Sequence, residues 1–181
     1  MDIENFNFEQ NYFELFDLPV GCEIDTTILR DNFMQMQRQY HPDRFAAATD
    51  TARRRAVQIA AHINGAHQTL QLPLKRAEYC LELAGLSADA ETDTKMDPMF
   101  LMQQMELRES LEDISSSADP YAALDNVRSE INDAIKTTSG QTSASINEQK
   151  FDDAREQVRR WQFLEKLSEE ANSIEARLDD D

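Results

Sequence analysis

The residues best suited to chemistry in this sequence are His41, Pro42 and Asp43, within the run Arg38-Gln39-Tyr40-His41-Pro42-Asp43-Arg44-Phe45. No glycine-rich phosphate loop and no readable nucleophile–base pair accompanies them, so what they offer is recognition rather than bond-making. Pro42 has no N–H to donate and pushes His41 out of the helical region, so a helix must stop here. Pro and Asp form turns in many contexts. Alone, the tripeptide indicates an exposed turn; its meaning depends on what flanks it.

Upstream, Leu29, Phe33, Met36 and Tyr40 recur at steps of four, three and four, the apolar face of a helix capped by Asp25 or Thr26. Downstream, Asp50 is the expected N-cap of a helix reaching about Leu72, with Ala56, Ile59, Ile63, Ala66 and Leu70 on one face. The tripeptide thus sits in a tight, exposed connection between two antiparallel helices. Tyr12, Phe13, Leu15, Phe16 and Leu18 predict one short bracing helix ending at Pro19. Pro73 opens a further helix, Leu74 to Ala84, with Gly85 as its C′ residue. Residues 11–85 therefore read as a small helical-hairpin domain. Residues 1–10 form an N-terminal extension expected to be poorly tied down, with Phe6 and Phe8 packing locally.

Four Gly and five Pro in 181 residues are few, which favours long helices over a turn-rich β architecture. No apolar run is long enough for a membrane helix, and the acidic, aromatic residues 1–25 have no secretory-signal pattern. A cytoplasmic location is expected. Cys22 and Cys80 lack CxxC spacing and read as two unpaired thiols; no metal site and no cofactor is expected. The net charge is −17, but residues 26–76 carry eight basic side chains (Arg30, Arg38, Arg44, Arg53, Arg54, Arg55, Lys75, Arg76) against three acidic ones. A phosphate-binding surface normally needs a more cationic domain. An acidic protein partner, steered by charge, fits this island better than nucleic acid.

Residues 86–96 are polar and aperiodic and read as a linker. Asp97-Pro98 and Asp119-Pro120 then signal helices over about 98–117 and 120–137. Thr137 to Ser145 reads as a flexible loop. A last helix is expected over about Ile146 to Leu178, with Phe151, Ala154, Val158, Trp161, Leu164, Leu167, Ala171, Ile174 and Leu178 at near-heptad spacing. Three helices with one apolar stripe each predict a bundle over residues 97–181. In the first of them, Phe100, Gln104, Leu107, Leu111 and Ile114 make the core stripe at about 100° per residue. Leu101, Met102 and Met105 project to the opposite side, with Glu109 between them and Glu106 at the edge. A bundle helix needs only one apolar face, and this one has two. Phe163, flanked by Arg159, Arg160 and Lys166, is likewise off its own helix's stripe. Met-rich exposed faces adapt to partners, so these residues are read as a binding face.

The His-Pro-Asp turn between a basic amphipathic helix and a long antiparallel partner resembles the J-domain, the module by which Hsp40-type co-chaperones act on Hsp70. FLMQQMELRESLEDI (Phe100 to Ile114), RAEYCLEL (Arg76 to Leu83) and RRWQFLEKL (Arg159 to Leu167) carry a second resemblance, to the HscB (Hsc20) family of J-proteins in iron–sulfur cluster biogenesis. It covers nearly the whole chain, from about Tyr12 to Leu178. It implies an all-α fold, with an N-terminal J-domain joined to a C-terminal three-helix bundle in an L shape. It also implies binding of the cluster scaffold IscU, delivery to the Hsp70 HscA and stimulation of that partner's ATP hydrolysis. Carried over by position, His41, Pro42 and Asp43 match the Hsp70-contacting tripeptide, with Arg30, Arg38 and Arg44 on the docking surface. Leu101, Met102, Met105, Glu106, Glu109 and Phe163 match the scaffold-binding patch. The extension looks longer than in bacterial relatives, the tetracysteine zinc module of eukaryotic ones is absent, and Met105 stands where Leu is common. A general J-protein serving an ordinary Hsp70, and an enzyme or iron donor using the acidic half, are the other readings. The second lacks a ligand pattern.

Overall fold

The computed structural model describes residues 3–87 and 98–180. Every regular element among them is helical, and the chain divides into two compact units, Met1–Cys80 and Leu81–Asp181.

In the first unit, α1 (Tyr12–Leu15) is a single turn set by a capping box: Asn11 Oδ1 accepts from Glu14 N and Glu14 Oε2 accepts from Asn11 N. It ends earlier than the aromatic cluster suggested. Asp17 adopts φ +53° and Leu18 N–H returns to Phe13 O, closing the turn before Pro19. Helix α2 (Thr26–Tyr40) begins at Asp25, whose carboxylate accepts from Thr27 N and Ile28 N. Helix α3 (Asp50–Gln71) is capped by Thr49, not Asp50. Asp50 instead lies in the first turn, where its charge suits the helix N-terminus. Phe33 stacks on His67 and Gln37 bonds Asn64, so α2 and α3 run antiparallel. Phe13, Phe16, Leu29, Ile59, Ile63 and Leu70 are fully buried between these elements. Helix α4 (Pro73–Leu83), which runs past the end of the first unit, stops at Gly85, φ +79°, with Leu86 N to Leu81 O and Gly85 N to Glu82 O bonds. That is the expected left-handed C-terminal cap.

Two of the eight basic residues of residues 26–76 are engaged by backbone carbonyls, one buried and one half-buried. Arg76 is buried, donating Nε to Cys22 O and Nη1 to Leu70 O, both at 2.6 Å. Arg55 donates to the carbonyls of Ile3, Glu4 and Phe6. Residues 3–8 are therefore tied down, contrary to expectation, with Ile3 and Phe6 buried. Cys22 and Cys80 are buried thiols; the Cys22 hydrogen bond and burial push the Cys80 thiol upward, away from thiolate reactivity.

Burial holds His62 and His67 below the ordinary histidine pKa. The unfolded chain takes up these protons near pH 6.5 while the folded one resists. Their contribution to stability is thus complete above that pH and declines as pH falls through the depressed folded values. The thermal midpoint should drop from pH 7 to pH 5 more steeply in the wild type than in His62→Gln/His67→Gln. Equal slopes would contradict this.

In the second unit, α5 (Pro98–Glu112) packs against α6 (Pro120–Asn147) and α7 (Phe151–Asp180). The expected Asp97 cap lies outside the described residues, as do residues 88–96 of the expected linker. Helix α5 stops sooner than predicted, passing into a 3-10 turn at Ile114–Ser116. Asp119 caps α6 by accepting from Ala122 N. The loop expected over Thr137–Ser145 is instead α-helix. Thr138, Thr142 and Ser145 extend the buried face of Leu124, Val127 and Ile131 at helical spacing. The buried Thr142 hydroxyl donates to Thr138 O at 2.8 Å. Packing against α7 outweighs the weak helix propensity of the run. The true turn is Glu148-Gln149-Lys150, where Gln149 takes φ +59° and Lys150 N bonds Ser145 O. Arg128 on α6 pairs with Glu175 near the end of α7, and Tyr121 Oη reaches Leu178 O, making α6 and α7 antiparallel. The core joins Leu111, Ile114, Leu124, Ile131, Leu167, Ala171 and Ile174.

Candidate functional site

The His-Pro-Asp turn is built by the end of α2. Tyr40 is its last residue; His41 leaves the helix at ψ 128°, and Pro42 opens a 3-10 turn reaching Phe45. His41 Nδ1 accepts from Asp43 N at 3.3 Å and lies 3.6 Å from Asp43 Oδ2, so the ring caps the turn it starts. Both side chains remain mostly exposed, Asp43 at 89 %. Arg44 Nη1 donates to Arg38 O at 2.9 Å, satisfying a carbonyl at the α2 terminus and fixing the Arg44 guanidinium beside the turn.

Arg38 and Arg44 share with Asp31, Met34, Gln35 and Gln39 an open groove of about 660 Å³ on the outer face of α2. Arg30 is eight residues before Arg38, roughly 12 Å along the helix, and pairs with Asp31 at 3.2 Å. The structure therefore gathers the tripeptide, Arg38 and Arg44 at one end, with Arg30 further along. Surface pairs such as Arg30–Asp31 hold little energy, so these cations are available to an acidic surface.

In the second unit, Leu101, Met102 and Met105 are exposed, at 43, 59 and 63 %, and Glu106 and Glu109 are exposed beside them. Met99, absent from the sequence reading, is 65 % exposed on the same helix. Its signal is a further Met two residues before Leu101. Phe163 differs from its expected position wholly off the stripe. It is half-buried, packs on the bundle core, meets Phe100 edge-on at 6.0 Å and lies under Arg108 at 5.7 Å. Across α5, Phe100, Leu107 and Leu164 floor a groove of about 640 Å³ whose rim carries Glu106, Glu130, Asp133 and Arg160. Among the described residues, no group of three or more His, Cys, Asp or Glu could hold a metal ion, and no helix is long and apolar enough to cross a membrane.

An antiparallel helical hairpin with an exposed His-Pro-Asp turn, in one chain with a three-helix bundle, is the architecture of a J-domain co-chaperone. Comparison with known proteins narrows this class. Residues 96–172 match the family model described as the HSCB C-terminal oligomerisation domain. A co-chaperone protein HscB homolog from Vibrio cholerae is 44% identical over 168 residues, covering 93% of this chain and 98% of the relative. The solved structure of chaperone HscB from Vibrio cholerae has a TM-score of 0.85 at 41% identity, covering 93% of this chain and 99% of that one. Human co-chaperone HscB superposes with a TM-score of 0.87 at 27% identity, covering 94% and 84%. The chain belongs to the HscB family of co-chaperones. These are not enzymes, in keeping with the reading that the residues recognise partners rather than transform a substrate.

Proposed function

We propose that this protein binds the iron–sulfur cluster scaffold IscU, delivers it to the specialised Hsp70 HscA and stimulates ATP hydrolysis by that Hsp70, assisting cluster maturation in the cytoplasm. In this reading residues 11–85 are the J-domain, 86–96 the linker and 97–181 the scaffold-binding bundle. His41, Pro42 and Asp43, with Arg30, Arg38 and Arg44, face the Hsp70. Leu101, Met102, Met105, Glu106, Glu109 and Phe163 face the scaffold. The observation that carries it is the pairing of two unlike exposed surfaces on separate units of an HscB-family chain: a cationic turn and a Met/Leu face.

The mechanism is a shift of an equilibrium. Arg38 and Arg44 steer the turn to an acidic Hsp70 surface, and His41-Pro42-Asp43 then makes contacts that favour the hydrolysing conformation. Such contacts act only by differing between the two Hsp70 states. Both interfaces must release in each cycle, so dissociation constants near 1 μM, about −8.2 kcal/mol, are expected. Carrying both partners on one chain raises their effective concentration and makes two weak contacts efficient.

The test is the salt dependence of the two bindings, each measured by calorimetry. Between 50 and 300 mM KCl (chosen because the Debye length falls through about 10 Å in this range), Hsp70 affinity should fall about tenfold and scaffold affinity about twofold or less. Equal salt dependence, or no binding to either, would overturn the assignment.

A further inference from the structure

The segment preceding α1 has a structural role that the two proposed surfaces leave unexplained. Arg55, on α3, donates Nε to Ile3 O at 2.6 Å and Nη2 to Glu4 O at 3.0 Å and Phe6 O at 3.4 Å. One guanidinium thus holds three carbonyls of the short 3-10 turn Ile3–Asn5 and of Phe6 just beyond it. The buried Phe6 ring stands edge-on to Tyr40 at 5.3 Å and to His62 at 5.9 Å. Phe8 packs on Phe6 at 4.8 Å and on His62 at 5.3 Å, with Arg55 over its ring at 5.6 Å. Residues 3–8 are therefore wedged between the last residue of α2 and the body of α3.

Tyr40 directly precedes His41. Among the described residues, the exposed imidazole is oriented by its cap on the Asp43 amide and its proximity to the Asp43 carboxylate, so its direction follows the backbone that leaves α2. Its local bonds, Asp43 N to His41 Nδ1 and Arg44 to Arg38 O, fix the internal shape of the turn. Residues Pro42–Phe45 also pack on α3, but these bonds do not tie Tyr40 to it. Phe6 does, by filling the space between Tyr40 and His62. The nearby cross-helix bond, Gln37 to Asn64, is exposed to competing water.

We infer that residues Ile3–Phe8 are an intramolecular brace that fixes the direction of the His41-Pro42-Asp43 turn, and so sets how strongly the docked protein stimulates its Hsp70 rather than how tightly it docks. This rests on the Hsp70 reading above. Phe6 and Arg55 are positioning residues. Docking strength resides in Arg30, Arg38 and Arg44, none of which touches the brace, so maximal stimulation and half-saturating concentration should separate.

The experiment is single-turnover ATP hydrolysis by the Hsp70 across a range of full-length co-chaperone concentrations, with wild type, Phe6→Ala, Phe6→Tyr, Arg55→Gln and His41→Gln. Circular dichroism at the assay temperature establishes that each is folded. Phe6→Ala should lower maximal stimulation by about threefold or more, with the half-saturating concentration within about twofold of wild type. Phe6→Tyr, which keeps the ring, should restore it. Arg55→Gln releases the carbonyls without emptying the aromatic cluster, and should show the same split even where Phe6→Ala fails to fold. Unchanged maxima in both variants, or a loss that appears only as weaker half-saturation, overturn the brace while leaving the co-chaperone reading standing. Wild type that behaves like His41→Gln, with no stimulation, overturns both.

Discussion

His41→Gln should reduce stimulation of Hsp70 ATP hydrolysis by at least about tenfold, roughly 1.4 kcal/mol of lost bias, while scaffold affinity stays within about twofold of wild type. The substitution is narrow. The Gln amide matches the position of Nε2 rather than of the capping Nδ1, but the Arg44 N to His41 O bond and the Arg44–Arg38 tie do not use the ring, so the 3-10 turn is expected to persist. What disappears is the exposed imidazole. A structural explanation would require a folding defect, which a mostly exposed side chain should not produce. Hydrolysis kinetics and scaffold calorimetry on the same preparation check it. Retention of more than half the stimulation, or parallel loss of scaffold binding, contradicts the division into two surfaces.

Leu101→Ala/Met102→Ala/Met105→Ala should have the opposite phenotype. Each of these side chains is exposed in the free protein, and covering one at an interface contributes about 1–1.5 kcal/mol. Losing all three should weaken scaffold binding by about 100-fold or more, beyond detection for a micromolar interface. Basal Hsp70 stimulation without scaffold should be unchanged, and the thermal midpoint should move little. Phe163→Ala is a poorer probe, because that ring packs on Phe100 and the bundle core and its loss would cost stability as well as contact. Scaffold affinity within about threefold of wild type in the triple variant would remove the Met/Leu face from the account.

The sequence was legible where one local rule decided the outcome. Pro42 ended α2, Asp25 and Asp119 capped their helices, and Gly85 took the left-handed position, each for a reason contained in a few residues. The second apolar face of α5 was visible from helical angles alone, and Leu101, Met102 and Met105 are indeed exposed. Illegible features depended on a distant partner. TTSGQTSAS has loop composition, and the burial of Thr138 and Thr142 in the bundle makes it helix. Arg55 and Arg76 counted as surface charge until their distant carbonyl partners, Ile3 at a separation of 52 and Cys22 at 54 residues, were known. Residues 3–8 looked free for the same reason, since Arg55 and Tyr40 hold them. Left-handed Asp17 and Gln149 ended helices without the glycine that would have announced them.

The most direct test of the central claim is single-turnover ATP hydrolysis by the dedicated Hsp70, with and without this protein, each in the presence and absence of the scaffold. The account predicts stimulation that requires His41 and grows when the scaffold is added, with the increase lost in the Leu101/Met102/Met105 triple variant. Stimulation indifferent to the scaffold would contradict cluster-scaffold delivery and leave a general J-protein. No stimulation would reduce His41-Pro42-Asp43 to the turn that ends α2.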